Sequence, residues 1–167
     1  MFNKIDFENI IWDFLSAYRQ FLLNGYLHKR VNHEVYEKNT ATWNTLLLSL
    51  EIGALLGFAK LLERKDDLGR TFNNEELDDI SEKIINLRHA YIAHADLSKM
   101  RNADSFLNEN RLIGADGIKI VDAIKNRLIQ YQKKLKLDID VQDLFTQSQN
   151  NAINDLDAWL ESFKNEL

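Results

Sequence analysis

Leu77-Asp78-Asp79-Ile80-Ser81-Glu82-Lys83-Ile84-Ile85-Asn86-Leu87-Arg88-His89-Ala90-Tyr91-Ile92-Ala93-His94-Ala95-Asp96 decides the reading of this chain, and it holds two of the four histidines. Leu77, Ile80, Ile84, Leu87 and Tyr91 recur at alternating spacings of three and four, the pattern of one apolar face on an amphipathic helix. With about 100° per residue counted from Leu77, the apolar side chains fill an arc of roughly −80° to +80°, and Arg88 falls inside it near +20°. His94 lies near −100°, at the rim, and His89 near +120°, towards the polar side. A guanidinium cannot be stripped of water in an apolar arc without a partner. Two explanations compete for Arg88. Its stem covers core surface while its head pairs with a carboxylate, or it supplies a fixed charge to an anion such as phosphate, beside a histidine suited to proton transfer near neutrality.

The chain has 167 residues, enough for one domain (1–167) with a real core. It contains no proline and only six glycines, and 45% of it is apolar, which permits long helices and leaves few turn signals. An all-α helical bundle of about five helices follows. With no cysteine there is no disulfide and no thiolate metal site. The opening Met1-Phe2-Asn3-Lys4-Ile5-Asp6 leads into a helical pattern carrying Glu8 and Asp13, unlike a signal peptide, so a soluble cytoplasmic protein is expected.

The first helix is expected over about Asp6 to Leu23, with Asn24-Gly25 as its stop. After it, Tyr26 to Glu34 reads as a loop or a helical continuation, and His28 and His33, five apart, read as solvated. A second helix is expected to start near Thr40 or Thr42 as N-cap and to continue to about Glu63. Its centre, Leu46 to Ala59, is apolar almost all round and suggests a helix covered on every side. A membrane span is the alternative, which Glu51 and Lys60 interrupt. Gly53 and Gly57 would admit a close helix, and a homodimer interface is one use for such a surface.

Asn73 or Asn74 followed by Glu75-Glu76 reads as the cap and acidic first turn of the motif helix, which is expected to end around Ala95 to Leu97. A long loop follows, through Gly117, with a short helix around Ser105 to Asn110. The next helix runs from Ile118 to Leu135, Leu137-Asp138-Ile139-Asp140 breaks it, and a last helix starts near Val141 and is open to interruption over Gln147 to Asn151.

A net charge of −5 argues against holding nucleic acid by bulk electrostatics. Its distribution is uneven. Between Leu97 and Lys136 there are nine Lys or Arg against four Asp or Glu. Lys99, Arg101, Arg111 and Lys119 therefore stand as candidates for a basic wall beside Arg88 and His94, the bland alternative being a solvated face. The chain carries no phosphate-cradling glycine loop, no His-Glu-x-x-His and no nucleophile motif around a serine. Asp78-Asp79 and Asp138-x-Asp140 are explained by helix starts without a metal. No cofactor and no metal are expected.

Arg88-His89-x-x-x-x-His94 resembles the motif of the HEPN superfamily, an Arg followed after four to six residues by a His, with Asn, Asp or His next to the Arg. Ala93-His94-Ala95-Asp96 is similar to the Ala-His-x-Asp ending of its abortive-infection branch. The resemblance covers those residues and, beyond them, only the architecture. It implies a metal-independent endoribonuclease, in a toxin or phage-defence setting, in which two protomers face their motifs into one cleft and the ribose 2′-hydroxyl attacks the adjacent phosphorus. Carried over, His94 is the acid or base, Arg88 stabilises the phosphoryl oxygens and His89 orients substrate or backbone; Asn86, Tyr91 and Asp96 are candidates for the surrounding support, Tyr91 through packing rather than catalysis. A homodimer, RNA as substrate and an antitoxin or other partner protein are the implied company. Arg88 and His94 sit about 120° apart on an ideal helix, which also favours a site completed across a two-fold axis. The rival class is a catalytically inactive helical bundle that binds a protein or a nucleotide. In that case Arg88 is paired and covered, whereas in a nuclease it lines a solvent-reachable cleft with His94.

Overall fold

The computed structural model describes residues 4–31, 33–64, 68, 71–92 and 109–164. Among them are six helices: α1 (Lys4–Arg30), α2 (His33–Lys38), α3 (Thr40–Leu62), α4 (Glu75–Ile92), α5 (Gly114–Leu135) and α6 (Val141–Lys164). No strand occurs among the described residues, and the fold is an all-α bundle.

The core follows from the apolar stripes. Phe7, Ile10, Ile11 and Phe14 of α1 meet Phe58 and Ala59 of α3, Ile80 and Ile84 of α4, Ile124 and Leu128 of α5, and Phe145 of α6. Cross-helix pairs fix the directions. Lys60 reaches Asp13 at 2.5 Å and the Asn24 amide donates to the Leu47 carbonyl at 2.8 Å, so α1 and α3 are antiparallel. Phe7 stacks on Tyr131 while Phe21 lies against Gly117, so α5 is antiparallel to α1 as well. Phe14 meets Phe145, and farther on Arg30 pairs with Asp157, so α6 runs parallel to α1. Helix α4 packs on both α3 and α5.

The expected stop at Asn24-Gly25 is overridden: α1 continues to Arg30. The extra turns bury Leu27 in a second cluster with Trp43 and Leu156, and that burial outweighs the roughly 1 kcal/mol that a mid-helix glycine costs. That continuation of α1 is the helical alternative left open after Tyr26, and short α2 then starts at His33. Helix α3 matches its expected span, but the N-cap is Asn39, without a side-chain cap bond, and not Thr40 or Thr42, which lie inside the helix. It is not covered on every side. Leu48 is 50% exposed, and Thr45, Ser49 and Glu51 face solvent, because a bundle this small lacks the elements to surround it. It is, among the described residues, the one helix long and apolar enough to cross a membrane, and a third of its most apolar window is buried inside the protein.

Gly53 and Gly57 do admit a close helix, but it is α1 of the same chain. A Cβ at Gly57 would lie 2.4 Å from the Ala17 Cβ, and one at Gly53 would overlap the Gln20 carboxamide. The glycines therefore no longer argue for a dimer.

Asn74 caps α4, its Oδ1 accepting from the Leu77 N–H at 3.0 Å. Helix α5 starts a turn before Ile118, because the Asp116 carboxylate accepts the Ile113 N–H at 3.0 Å. Lys136, left-handed at φ 52°, ends it, and Asp140 Oδ1 accepts from Asp143 N–H to start α6. Helix α6 is unbroken over Gln147 to Asn151, where Ala152 packs fully buried and Gln147 bonds back to Asp143. The expected end of α4 near Ala95 to Leu97 and most of the short helix around Ser105 to Asn110 lie outside the described residues.

The two glycine environments predict opposite outcomes. A Cβ added at Gly25 would meet nothing within 4 Å, so Gly25→Ala should raise the free energy of unfolding by about 0.5–1 kcal/mol. Gly57→Leu forces bulk against Ala17 and should lower it by about 1–3 kcal/mol. Urea unfolding followed by circular dichroism checks both.

Candidate active site

Glu63 occupies the C-cap of α3, its N–H bonded to the Ala59 carbonyl at 2.9 Å. A carboxylate is disfavoured there by the negative end of the helix dipole. Its charge is met from α4. Arg88 Nη1 contacts Glu63 Oε2, and His89 Nε2 faces Glu63 Oε1 at 3.0 Å, so two consecutive residues engage one oxygen each. The side chains of Arg88 and Glu63 are 28% and 22% exposed, and that of His89 is 55% exposed. The pair is thus half-covered, between the weak limit of a surface ion pair and the costly limit of a buried one.

The helical wheel placed Arg88 on the apolar arc, and the structure shows how that position is tolerated. Leu87 and Ile84 on the same arc are buried, while Arg88 leans to the edge and finds Glu63. Only one terminal nitrogen of Arg88 meets Glu63, so the other N–H groups of the fork are not spent on that carboxylate. A phosphate arriving at this end of α4 would share the guanidinium with Glu63. It would also draw on an imidazole already oriented by the same carboxylate.

Asn86 belongs to a different contact. Its Nδ2 donates to Asn110 Oδ1 at 3.1 Å, and Asn110 is the one polar residue buried among the described residues, at 6% exposure. This bond ties α4 to the approach to α5, on either side of residues 93–108. Tyr91 lies in the last turn of α4, its side chain outside the described set, while His94, Asp96, Lys99 and Arg101 lie outside the described residues altogether.

The basic wall divides. Arg111 is exposed next to Asn110 and so belongs to the neighbourhood of α4. Lys119 does not join Arg88. It pairs with Glu76 at 2.5 Å, twelve positions before Arg88 and so about 18 Å up the same helix. The hydrogen bond that Lys119 donates to the Glu76 carboxylate, and then the carboxylate's charge, raise the pKa of the Lys119 ammonium above its ordinary value. Arg127 serves the fold: it lies 3.8 Å over the Phe72 ring and donates to the Leu68 carbonyl at 2.6 Å and the Thr71 carbonyl at 3.1 Å. Burial lowers its pKa from the usual arginine value. These bonds pin the connector that leaves Glu63 and leads to α4.

Sequence reasoning missed Glu63 and Asn110 as site residues. For Glu63 a signal existed, since an acid closing an apolar helix sits at the unfavourable dipole end and so asks for a cation. Asn110 carried none, because its burial depends wholly on tertiary packing.

Comparisons with family models, curated proteins and solved structures return no match to this chain.

The half-covered pair has a measurable strength. A double-mutant cycle of Glu63→Gln and Arg88→Met, read by chemical denaturation, should give a coupling energy of about 1–2 kcal/mol, intermediate between exposed and buried pairs. A coupling near zero would mean that the contact is fortuitous.

Proposed function

We propose that the chain is a metal-independent endoribonuclease of the HEPN type, with Arg88 and His94 as its reacting side chains and Glu63 as the residue that positions Arg88 and His89. The observation that carries this reading is the convergence of Arg88 and His89 on the Glu63 carboxylate at a partly open end of α4. A fixed cation, an imidazole and an orienting carboxylate form the kind of set that phosphoryl chemistry without a metal requires. His94 lies two positions in sequence beyond Ile92, the last described residue of α4, and its role rests on the resemblance of Arg88-His89-x-x-x-x-His94 to the family motif.

In this mechanism the ribose 2′-oxygen attacks the adjacent phosphorus, the bond from phosphorus to the 5′-oxygen breaks, and a 2′,3′-cyclic phosphate and a 5′-hydroxyl result. One imidazole takes the 2′-proton and another, or the same group after exchange, protonates the leaving 5′-oxygen. Arg88 neutralises the charge that builds on the non-bridging oxygens, often the larger contribution. Two such motifs facing each other across a two-fold axis would supply both imidazoles, so a homodimer is part of the proposal. The implied setting is a cytoplasmic toxin or phage-defence system, with an antitoxin or other partner protein as its restraint.

A specific observation also favours the second reading, an interaction module without catalysis: Arg88 is paired, as a tied-off arginine in a purely structural bundle would be. Cleavage kinetics separate the two. With RNA in excess EDTA, His94→Ala should slow cleavage by about 10²–10⁴-fold, the usual contribution of a positioned acid or base. Arg88→Ala should slow it by about 10²–10³-fold, as loss of one charge-stabilising donor does. Glu63→Gln should lower the rate while leaving His94 chemistry intact. No cleavage by the wild-type chain, folded and at high concentration, would leave the interaction module standing.

A further inference from the structure

A cavity of about 790 Å³ opens beside the candidate active site, between the C-terminal half of α1, the middle of α3, the end of α4 and the start of α5. Its walls are apolar and aromatic: Phe21, Leu55, Phe58, Ile84 and Leu87 line it. Phe21 and Phe58 meet edge to face at 6.1 Å, so the wall is built of ring faces and edges rather than of flexible chains. Ile113 and Ile118, 57% and 58% exposed, stand at its mouth. Two amides break the apolar lining: Asn24, whose Nδ2 donates to the Leu47 carbonyl, and Asn110, which is bonded to Asn86.

The rim has a sign. His28, Lys29 and Arg111 border the cavity against one acid, Glu51, in a chain whose net charge is −5. Among the described residues neither Lys29 nor Arg111 is in an ion pair, whereas Lys119, Lys60, Lys83, Arg19 and Arg30 are. The bland explanation covers Lys29, since cations suit the C-terminus of α1. It does not cover Arg111, which precedes the N-terminus of α5, where the dipole disfavours a cation. The cavity also touches the motif: Leu87 lines it, and the next residue, Arg88, reaches Glu63.

We propose that this cavity takes an unpaired base of single-stranded RNA, with Arg111 and Lys29 on the flanking phosphates. The guest that fits has a flat apolar face for the aromatic wall, a hydrogen-bonding edge for the Asn24 carboxamide oxygen and a negative backbone for the rim. An unstacked base offers all three, and single strands are held by this combination of stacking surface and cationic groove. A duplex does not enter, because its bases are stacked and paired. This assignment rests on the ribonuclease reading and adds to it the substrate form: a single strand anchored by one base, whose backbone leaves the cavity over the last turns of α4.

Gly25 provides the test. It lines the cavity and has open space where a side chain would start, so Gly25→Leu adds bulk at the cavity wall while keeping α1, and Gly25→Ala is the control. The probe is a labelled octamer of 2′-O-methyl RNA, which lacks the nucleophile and cannot be cut, bound to the full chain and followed by fluorescence anisotropy. Gly25→Leu should weaken binding at least tenfold with the melting temperature retained, the Ala control should bind as the wild type does, and the same sequence as a duplex should bind at least tenfold more weakly. Arg111→Ala should weaken binding severalfold and lower the salt dependence by about one counterion. Equal binding by Gly25→Leu and wild type overturns the proposal, as does equal binding of duplex and single strand. Laurate held by the wild type and lost in Gly25→Leu, with no octamer bound by either, also overturns it and assigns an acyl chain instead. The two readings fail separately. Wild-type cleavage of ordinary RNA that Gly25→Leu leaves unchanged sinks the base pocket alone, whereas Gly25-dependent binding without cleavage sinks the nuclease alone.

Discussion

The closeness of α1 and α3 is the constraint on which the rest of the molecule depends. Gly53 and Gly57 let the two backbones approach until Ala17 and Gln20 fill the space a side chain would need. That approach seats Phe14 against Phe58 and Phe145 and so sets where α6 and α5 pack. It also fixes the end of α3, and with it Glu63. Arg127 then holds Leu68 and Thr71 through their carbonyls ahead of α4, which carries Arg88 and His89 to the carboxylate. The candidate site is thus a product of helix geometry at some distance from it.

Glu63 has two consequences that pull in different directions. As a carboxylate at a helix C-terminus it is unfavourable alone, and the cation of Arg88 relieves that. For chemistry on a phosphate the same pairing orients the guanidinium yet competes for it. Partial exposure resolves the conflict, because a fork with several N–H groups can keep one on Glu63 and turn others to a ligand. A fully buried pair would have left no such option.

The fold was largely legible from periodicity, and the misreadings share one cause. Leu77, Ile80, Ile84 and Leu87 announced α4, and Asn74 with Glu75-Glu76 announced its start, because both signals are local. Asn24-Gly25 is also a local signal, and it was overruled by Leu27 packing on Trp43 and Leu156, partners distant in sequence. The same holds for the site. Arg88 could be singled out as an arginine in an apolar arc that needed a partner, but the identity of that partner depended on how α4 packs against the end of α3. Lys119 looked like a neighbour of Arg88 by charge count, and the crossing of α4 and α5 instead gave it to Glu76. Asn110 and the aromatic cavity behind it arise where four segments meet, and no one segment carries their pattern.

Cutting RNA by intramolecular attack of the 2′-oxygen leaves a chemical signature at the fragment ends. Mass spectrometry of the 3′ ends produced by the wild-type chain in EDTA reads that signature. The proposed mechanism predicts 2′,3′-cyclic phosphates opposite 5′-hydroxyls. Fragments with 5′-phosphates and free 3′-hydroxyls would contradict it, since they require water or another external nucleophile at phosphorus.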